Sequence, residues 1–272
     1  MLISAGFYTA NVLLIRALGE FESVNIWLMS CARFVIGIAL VAALYPKEWR
    51  PQRIFLSRKL ASRGIVGGMT VYGFYLTVVH LGAGRATFIN NTYVIFGALG
   101  AVWVLRERLH ASLAIGSIVA LTGLALLTNP FVTNQGPGIY DLVGVVTALG
   151  SAYVVVIIRQ LHATEHTATI FAAQSIYGLL LCAVPAAFHP LPVSVVAWVL
   201  MLLGGICAAV GQITMTHAFR ILPVAEGALL QMTVPLGIAA GGLAFFGERF
   251  TGNEIAGALL ILAGTVVTAV RR

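Results

Sequence analysis

Ten runs of mostly apolar residues, each roughly 15–25 long, make up most of this chain, and each is near the length a helix needs to cross a ~30 Å hydrocarbon slab. They fall at Leu2–Leu18, Val24–Leu44, Gly64–Leu81, Ala86–Leu105, Leu113–Leu127, Leu142–Leu161, Ala168–Phe188, Val195–Phe219, Ala225–Phe246 and Ile255–Val270. Composition places them in lipid. Charged residues are 9% of the chain and hydrophobic residues 60%, whereas soluble domains carry about 25% charged residues. The expected fold is therefore all-α, a polytopic membrane protein of ten transmembrane helices. The first run has no basic flank and no small-residue cleavage site, so it does not read as a signal peptide. The lack of a polar stretch before it fits a chain trimmed at its N-terminus.

One stretch occurs twice. Asn90–Leu127 slides onto Gln231–Thr268 by 141 positions without a gap, placing Thr92 on Thr233, Gly100 on Gly241, Glu107 on Glu248 and Arg108 on Arg249. Gly116 falls on Gly257 and Gly123 on Gly264. Solenoid repeats are about 20–50 residues, so a period of half the chain reads as a duplicated bundle. The expected division is a first five-helix repeat over 1–130 and a second over 131–272. Five is odd, so the copies must run in opposite directions through the membrane, a recurrent plan in secondary transporters.

The net charge of +7 has a topological explanation. Lys47, Arg50, Arg53, Arg58, Lys59 and Arg63 lie in the loop after the second run. Arg106, Arg108, Arg159, Arg220, Arg271 and Arg272 fall on the same side. The other side keeps Arg16, Arg85 and Arg249 beside Glu20, Glu22, Glu248 and Glu254. Lys and Arg accumulate in cytoplasmic loops, so both termini are expected inside, in an inner membrane. Nucleic acid is not an expected partner. Cys31, Cys182 and Cys207 sit within apolar runs and read as packing residues.

The paired blocks, an apolar run, then Glu-Arg, then a second run with Gly116 and Gly123 or Gly257 and Gly264, resemble the two EamA-type repeats of the drug/metabolite transporter superfamily. Gly247 completes a Gly-Glu-Arg triplet in the second copy, and Pro235 matches a proline common in that family. Arg106 and Val94 stand at those places in the first copy, which leaves open whether the fourth helix bends. The resemblance implies a secondary transporter of small metabolites. Its cavity would be lined by helices 1–4 and 6–9, with helices 5 and 10 peripheral.

Polar residues inside the runs are the candidate substrate-binding residues. Arg33 lies near the middle of the second run, where an arginine costs at least ~2.5–3.5 kcal/mol to insert, so it needs a partner or a water-filled cavity. It reads either as a counter-charge for a carboxylate or phosphate, or as a structural tie between helices. Tyr72 and Tyr75 are three apart on the third run, and Asn90, Asn91 and Tyr93 lie on the fourth. Asn11 and Tyr153 on the first and sixth runs, Gln174 on the seventh, Gln212 and His217 on the eighth, and Gln231 on the ninth complete the set. Such residues line a cavity or hydrogen-bond between helices.

Other signals are weak. His162 and His166 flank Glu165 in the wrong order for a zinc protease, no phosphate-binding loop is present, and no nucleophile constellation is defensible. Gly237 and Gly241 form a GxxxG pattern that suits packing within the bundle or between protomers. No metal or cofactor is expected. No Asp or Glu lies near the middle of a run, which argues against the carboxylate mechanism of cationic-drug antiporters and leaves His80 or His217 as proton-coupling groups. A cavity of Tyr, Asn, Gln and one Arg suits amphipathic, mostly zwitterionic solutes. Several members of the family are amino-acid exporters, so the resemblance points to export of amino acids and related compounds by alternating access. Uptake or exchange of sugars or quaternary amines is the alternative within transport, and a membrane enzyme or scaffold the alternative outside it. The expected partners are a small-molecule substrate and the lipid bilayer, and the expected unit is a monomer.

Overall fold

A computed structural model describes residues 1–22, 24–108, 110–130, 138–247 and 249–270. Glu248, half of the second Glu-Arg pair, lies outside the described residues. The described chain is helical: α1 (Leu2–Phe21), α2 (Ile26–Leu44), α3 (Pro51–Leu56), α4 (Arg58–Leu81), α5 (Ala83–Asn91), α6 (Tyr93–Gly100), α7 (Ala111–Thr128), α8 (Ile139–Leu161), α9 (Thr167–Ala186), α10 (Val195–Ala218), α11 (Val224–Gln231), α12 (Thr233–Phe246) and α13 (Gly252–Val270). Taking α5–α6 and α11–α12 as one broken span each, nine spans among the described residues are long and apolar enough to cross a membrane, and α13 is the tenth apolar helix. The protein is a polytopic helical membrane protein.

Side chains set the helix starts. Asn25 Oδ1 accepts the Trp27 N–H at 2.9 Å to begin α2. Asp141 reaches back to the Gly138 N–H at 2.8 Å to begin α8. Thr251 and Glu254 exchange bonds as a capping box on α13. The short α3 and the early start of α4 lie within the stretch that the apolar pattern leaves as loop. Ile54 is buried there, and Ser57 Oγ caps α4 by accepting the Leu60 N–H at 3.4 Å. Arg63 is consequently not a loop charge. It stands in the second turn of α4, fully buried.

Two spans break in the middle, and the paired threonines mark where. Thr92 Oγ1 donates to Ile89 O at 2.6 Å, and Thr233 Oγ1 donates to Leu230 O at 2.8 Å. These back-bonds to the preceding turn compete with the helical ladder. In α12, Pro235 also lacks the N–H that would reach Gln231 O. The fourth span bends with Val94 at the matching place, so the break does not require the proline.

Packing partners come in matched pairs. α1 lies against α10 as α8 lies against α4, and α2 against α10 as α9 against α4. α1 meets α12 as α8 meets α6, while α2 pairs with α9 and α7 with α13. The α7–α13 contact explains the repeated glycines: a Cβ on Gly257 would lie 2.5 Å from Gly123 O, and one on Gly264 2.6 Å from Gly116 O. Only residues without a side chain let the two backbones touch. The GxxxG glycines Gly237 and Gly241 face Thr9 and Leu13 of α1, so their contact is within the bundle.

The main apolar core sits at the end of the bundle that carries the basic residues. Val154–Ile158, Leu161, Ile170–Ala173, Phe219 and Val224 pack there with Ile54 and Leu60. Polar ties reinforce the seal. Glu107 accepts the Val224 N–H at 3.0 Å and pairs with Arg159 at 3.5 Å. Arg159 also donates to Phe219 O at 3.1 Å and Arg220 O at 2.5 Å. His162 Nε2 bonds Thr216 O at 2.7 Å, and His166 caps α9, so the histidines flanking Glu165 hold helix ends.

α6 runs on into a π-helical turn, Ala101–Leu105, and ends at Arg106 with φ 56°; α12 ends at Gly247 with φ 65°. Both N–H groups reach the carbonyl five residues back, Ala101 and Gly242. The same left-handed turn is thus built with glycine in one half and with arginine in the other. Left-handed geometry costs a residue with a Cβ roughly 1–2 kcal/mol, and the Arg106 side chain is exposed. Arg106→Gly is therefore expected to raise stability by about 1 kcal/mol, and Gly247→Ala to lower it by a similar amount. Melting curves of the purified protein in detergent check this, and a destabilised Arg106→Gly would contradict the account of the turn.

Candidate functional site

Above the sealed end, the two broken spans and their neighbours leave a cleft enclosing about 1400 Å³ of empty space, mouth included. Its walls come from α1, α2, α4, α5, α6, α8, α9, α10, α11 and α12, and among the described residues neither α7 nor α13 contributes. The cleft runs from Gln212, Met215 and Gln231 near the basic end past Arg33 and Tyr75 to Ile15, Val78 and Thr87. Its lining thus extends from near the basic end toward the end poor in basic residues. Among the described residues its exposed surface is mostly apolar, although about half of the lining residues carry a polar group, and none is acidic. That pattern suits a small amphipathic ligand.

Nine of the predicted site residues meet in this cleft: Asn11, Arg33, Tyr75, Asn90, Asn91, Tyr93, Gln174, Gln212 and Gln231. Three do not. Tyr72 stacks on Trp27 with ring centroids 3.7 Å apart, Tyr153 is bonded to Ser62 at 2.7 Å on the outside of α8, and His217 is exposed at the end of α10. His80 stacks on Tyr140 at 3.8 Å and also lies off the cleft. Tyr8, Thr70, Phe74, Thr87 and Ser151 line it and were missed. Tyr8 was within reach of the sequence, because it lies three residues before Asn11 on the same helix face.

Arg33 is the charged group of the site. Its Nη2 donates to Gln212 Oε1 at 3.2 Å, and its guanidinium lies 5.9 Å from the centre of the Tyr8 ring. Tyr8 Oη donates to the same Gln212 oxygen. Among the described residues every partner in that group is neutral, so the positive charge is positioned but not compensated. The amides around it are mostly occupied. Asn11 Nδ2 donates to Gly204 O at 2.8 Å, and Asn91 Nδ2 to Thr87 O at 2.8 Å. Gln231 Nε2 donates to Ser4 Oγ at 2.9 Å, and Ser4 Oγ donates to Gly211 O at 2.7 Å. Asn90 differs: its Oδ1 is buried and accepts from no protein group. Among the described residues, no three His, Cys, Asp or Glu converge as a metal site.

The sequence profile of the EamA-like transporter family matches residues 1–129 and again residues 138–270. The chain belongs to that family. Membership makes it a membrane transporter and not an enzyme, and lipid and a small-molecule substrate are its partners. Among curated relatives, the pseudopaline exporter CntI of Pseudomonas aeruginosa is 26% identical over 242 residues, spanning 86% of this chain and 82% of the exporter. An uncharacterized transporter of Helicobacter pylori is 22% identical over 222 residues, spanning 77% of this chain and 73% of that protein. A chain of known crystal structure superposes with a TM-score of 0.81 at 16% sequence identity, covering 98% of this chain and 96% of that one. At that identity the likeness is one of fold.

The Arg33 environment gives a stability test. Tyr8 and Gln212 are already bonded to each other, so removing the guanidinium strands neither of them. Arg33→Gln is expected to fold as a monodisperse protein, with a stability change of no more than about 1 kcal/mol. A loss of about 3 kcal/mol or more, the size of a broken buried ionic tie, would make Arg33 a structural residue.

Proposed function

We propose that this protein exports amino acids and related zwitterionic metabolites by alternating access. Arg33 carries the proposal: a cation held in an open cleft by neutral partners only. A substrate carboxylate supplies the missing charge through hydrogen bonds worth about 1.5–3 kcal/mol. Asn90 lines the cleft with a buried Oδ1 that has no donor, and a turn of its side chain offers that oxygen to the ammonium group of the same molecule. The apolar wall of Val12, Ile15, Phe74 and Val78 receives the side chain. Tyr75, Asn91, Tyr93, Gln174, Gln212, Gln231 and Asn11 shape and orient that space. The relative named as an exporter supports outward movement.

In this reading, residues 1–130 and 131–272 are inverted five-helix repeats in an inner membrane, with both termini inside. The basic end is then cytoplasmic, and the cleft faces outward. Exchange of packing partners between the matched pairs closes the mouth and opens the basic end.

Counterflow in proteoliposomes, with and without a pH gradient, tests the proposal. Zwitterionic amino acids are expected to exchange, while sugars and quaternary amines are not. Amino-acid methyl esters are expected to bind about 10-fold or more weaker than the parent acids, the equivalent of ~1.4 kcal/mol. Exchange of sugars or quaternary amines with amino acids excluded would overturn the assignment.

A further inference from the structure

Among the described residues, three side chains bury polar atoms that find no partner: Ser30 through Oγ, Asn90 through Oδ1, and Arg63 through both Nε and Nη1. Arg63 is the outlier in chemistry. A guanidinium has five N–H donors; Nε carries one and Nη1 two, so three of the five point at nothing. Its remaining nitrogen, Nη2, donates to Gln174 Oε1 at 2.8 Å. The other arginines for which ion pairs are seen have acidic partners: Arg159 with Glu107, Arg85 with Asp141 and Arg53 with Glu165. Arg63 is more deeply buried than any of these, yet the ionisable groups around it are Tyr8, Tyr153 and Arg33, none of them a carboxylate.

The bond from Nη2 to Gln174 fixes where Arg63 lies relative to the cleft. Gln174 lines the cleft and lies directly over Arg63, with Nε2 donating to Gly67 O at 3.3 Å. Nη1 rests against Gly67, where any Cβ would collide with it. Thr70, one turn further along α4, is part of the cleft wall. Arg63 is therefore one side-chain layer beneath the cleft surface, covered by a neutral amide whose oxygen occupies one place a carboxylate oxygen would take. Guanidinium binds a carboxylate more strongly than an amide, because both partners are charged. Arg33 and the Gln174 amide that covers Arg63 line the same cleft, so a ligand that brings two negative charges can meet both guanidinium groups.

We infer that Arg63 is a second anion subsite, uncovered when Gln174 turns aside, and that the preferred substrates are amino-acid-like zwitterions with two carboxylates, one held by Arg33 and one by Arg63. The inference rests on the amino-acid reading above and narrows it to a substrate class. It also gives Gln174 a role, as a placeholder that keeps Arg63 partly bonded while the site is empty.

Binding of L-glutamate and L-glutamine to the purified full chain at pH 7 tests it, since the two differ by one carboxylate against an amide. The wild type is expected to bind glutamate at least about 10-fold more tightly. Arg63→Gln is expected to erase that preference while changing glutamine affinity less than about threefold. Gln174→Glu, which places a carboxylate on Arg63 from within the protein, is expected to fold, raise the melting temperature and remove the preference as well. It serves if Arg63→Gln does not fold. Glutamine binding with no preference for glutamate in the wild type would overturn this inference and leave the amino-acid reading standing. A preference that survives Arg63→Gln, or survives Gln174→Glu, would also overturn it. Failure of the wild type to bind either compound would overturn this inference, and failure to bind any amino acid in the counterflow panel would overturn both.

Discussion

In hydrocarbon there is no water to take up a stray hydrogen bond, and this constraint organises the whole molecule. It forces the backbone into helices that satisfy themselves, and it makes any break in a helix expensive unless polar groups or a wet cavity meet it. The breaks at Thr92 and Met232 are met in that way: the threonine hydroxyls take carbonyls of the preceding turn, and the cleft lies alongside. Asn90, Asn91, Tyr93 and Gln231 flank the two breaks and also line the cleft. The polar site and the irregular backbone are two consequences of one requirement.

The ends of the bundle are built differently. At the basic end, apolar packing is reinforced by Glu107, which joins α11 to Arg159 of α8, and by Arg159, which reaches the carbonyls ending α10. At the far end Arg85 pairs with Asp141 at 2.7 Å, and Glu22 accepts the N–H groups of Val193 and Ser194. These ties hold neighbouring helices without filling the space between the halves. Meanwhile α7 and α13 stay apart from the cleft, joined to each other by backbone contact at their glycines. In the proposed alternating-access cycle the surrounding helices, and not this pair, are the elements that would differ between a closed and an open end.

Much of this was legible in the sequence because lipid imposes length and hydropathy so strictly. Eight of the apolar runs became single helices with ends shifted by up to six residues, the fourth and ninth became the broken spans, and the repeated Thr92 and Thr233 lie within a residue of the two breaks. The repeated glycines proved to be the α7–α13 contact. What hydropathy cannot see is a helix whose first turns are basic. It therefore placed Arg63 in a loop, whereas α4 starts at Arg58 and carries Arg63 inward. Nor does spacing fix which way a polar side chain on a crowded face turns. Tyr75 enters the cleft while Tyr72, three residues earlier, stacks on Trp27. The left-handed turn at Arg106 was hidden for a simpler reason: the residue found there is not the one that such a turn prefers.

The central claim is that two halves of one chain, inserted in opposite directions, build a cleft between them. Sidedness of the two matched loops tests it most directly. With Cys31, Cys182 and Cys207 replaced by alanine, single cysteines at His110 and Thr251, both exposed, would be treated with a membrane-impermeant thiol reagent in right-side-out vesicles. The account predicts labelling of Thr251→Cys from outside, and of His110→Cys only after the vesicles are opened. Labelling of both from the same side would contradict it.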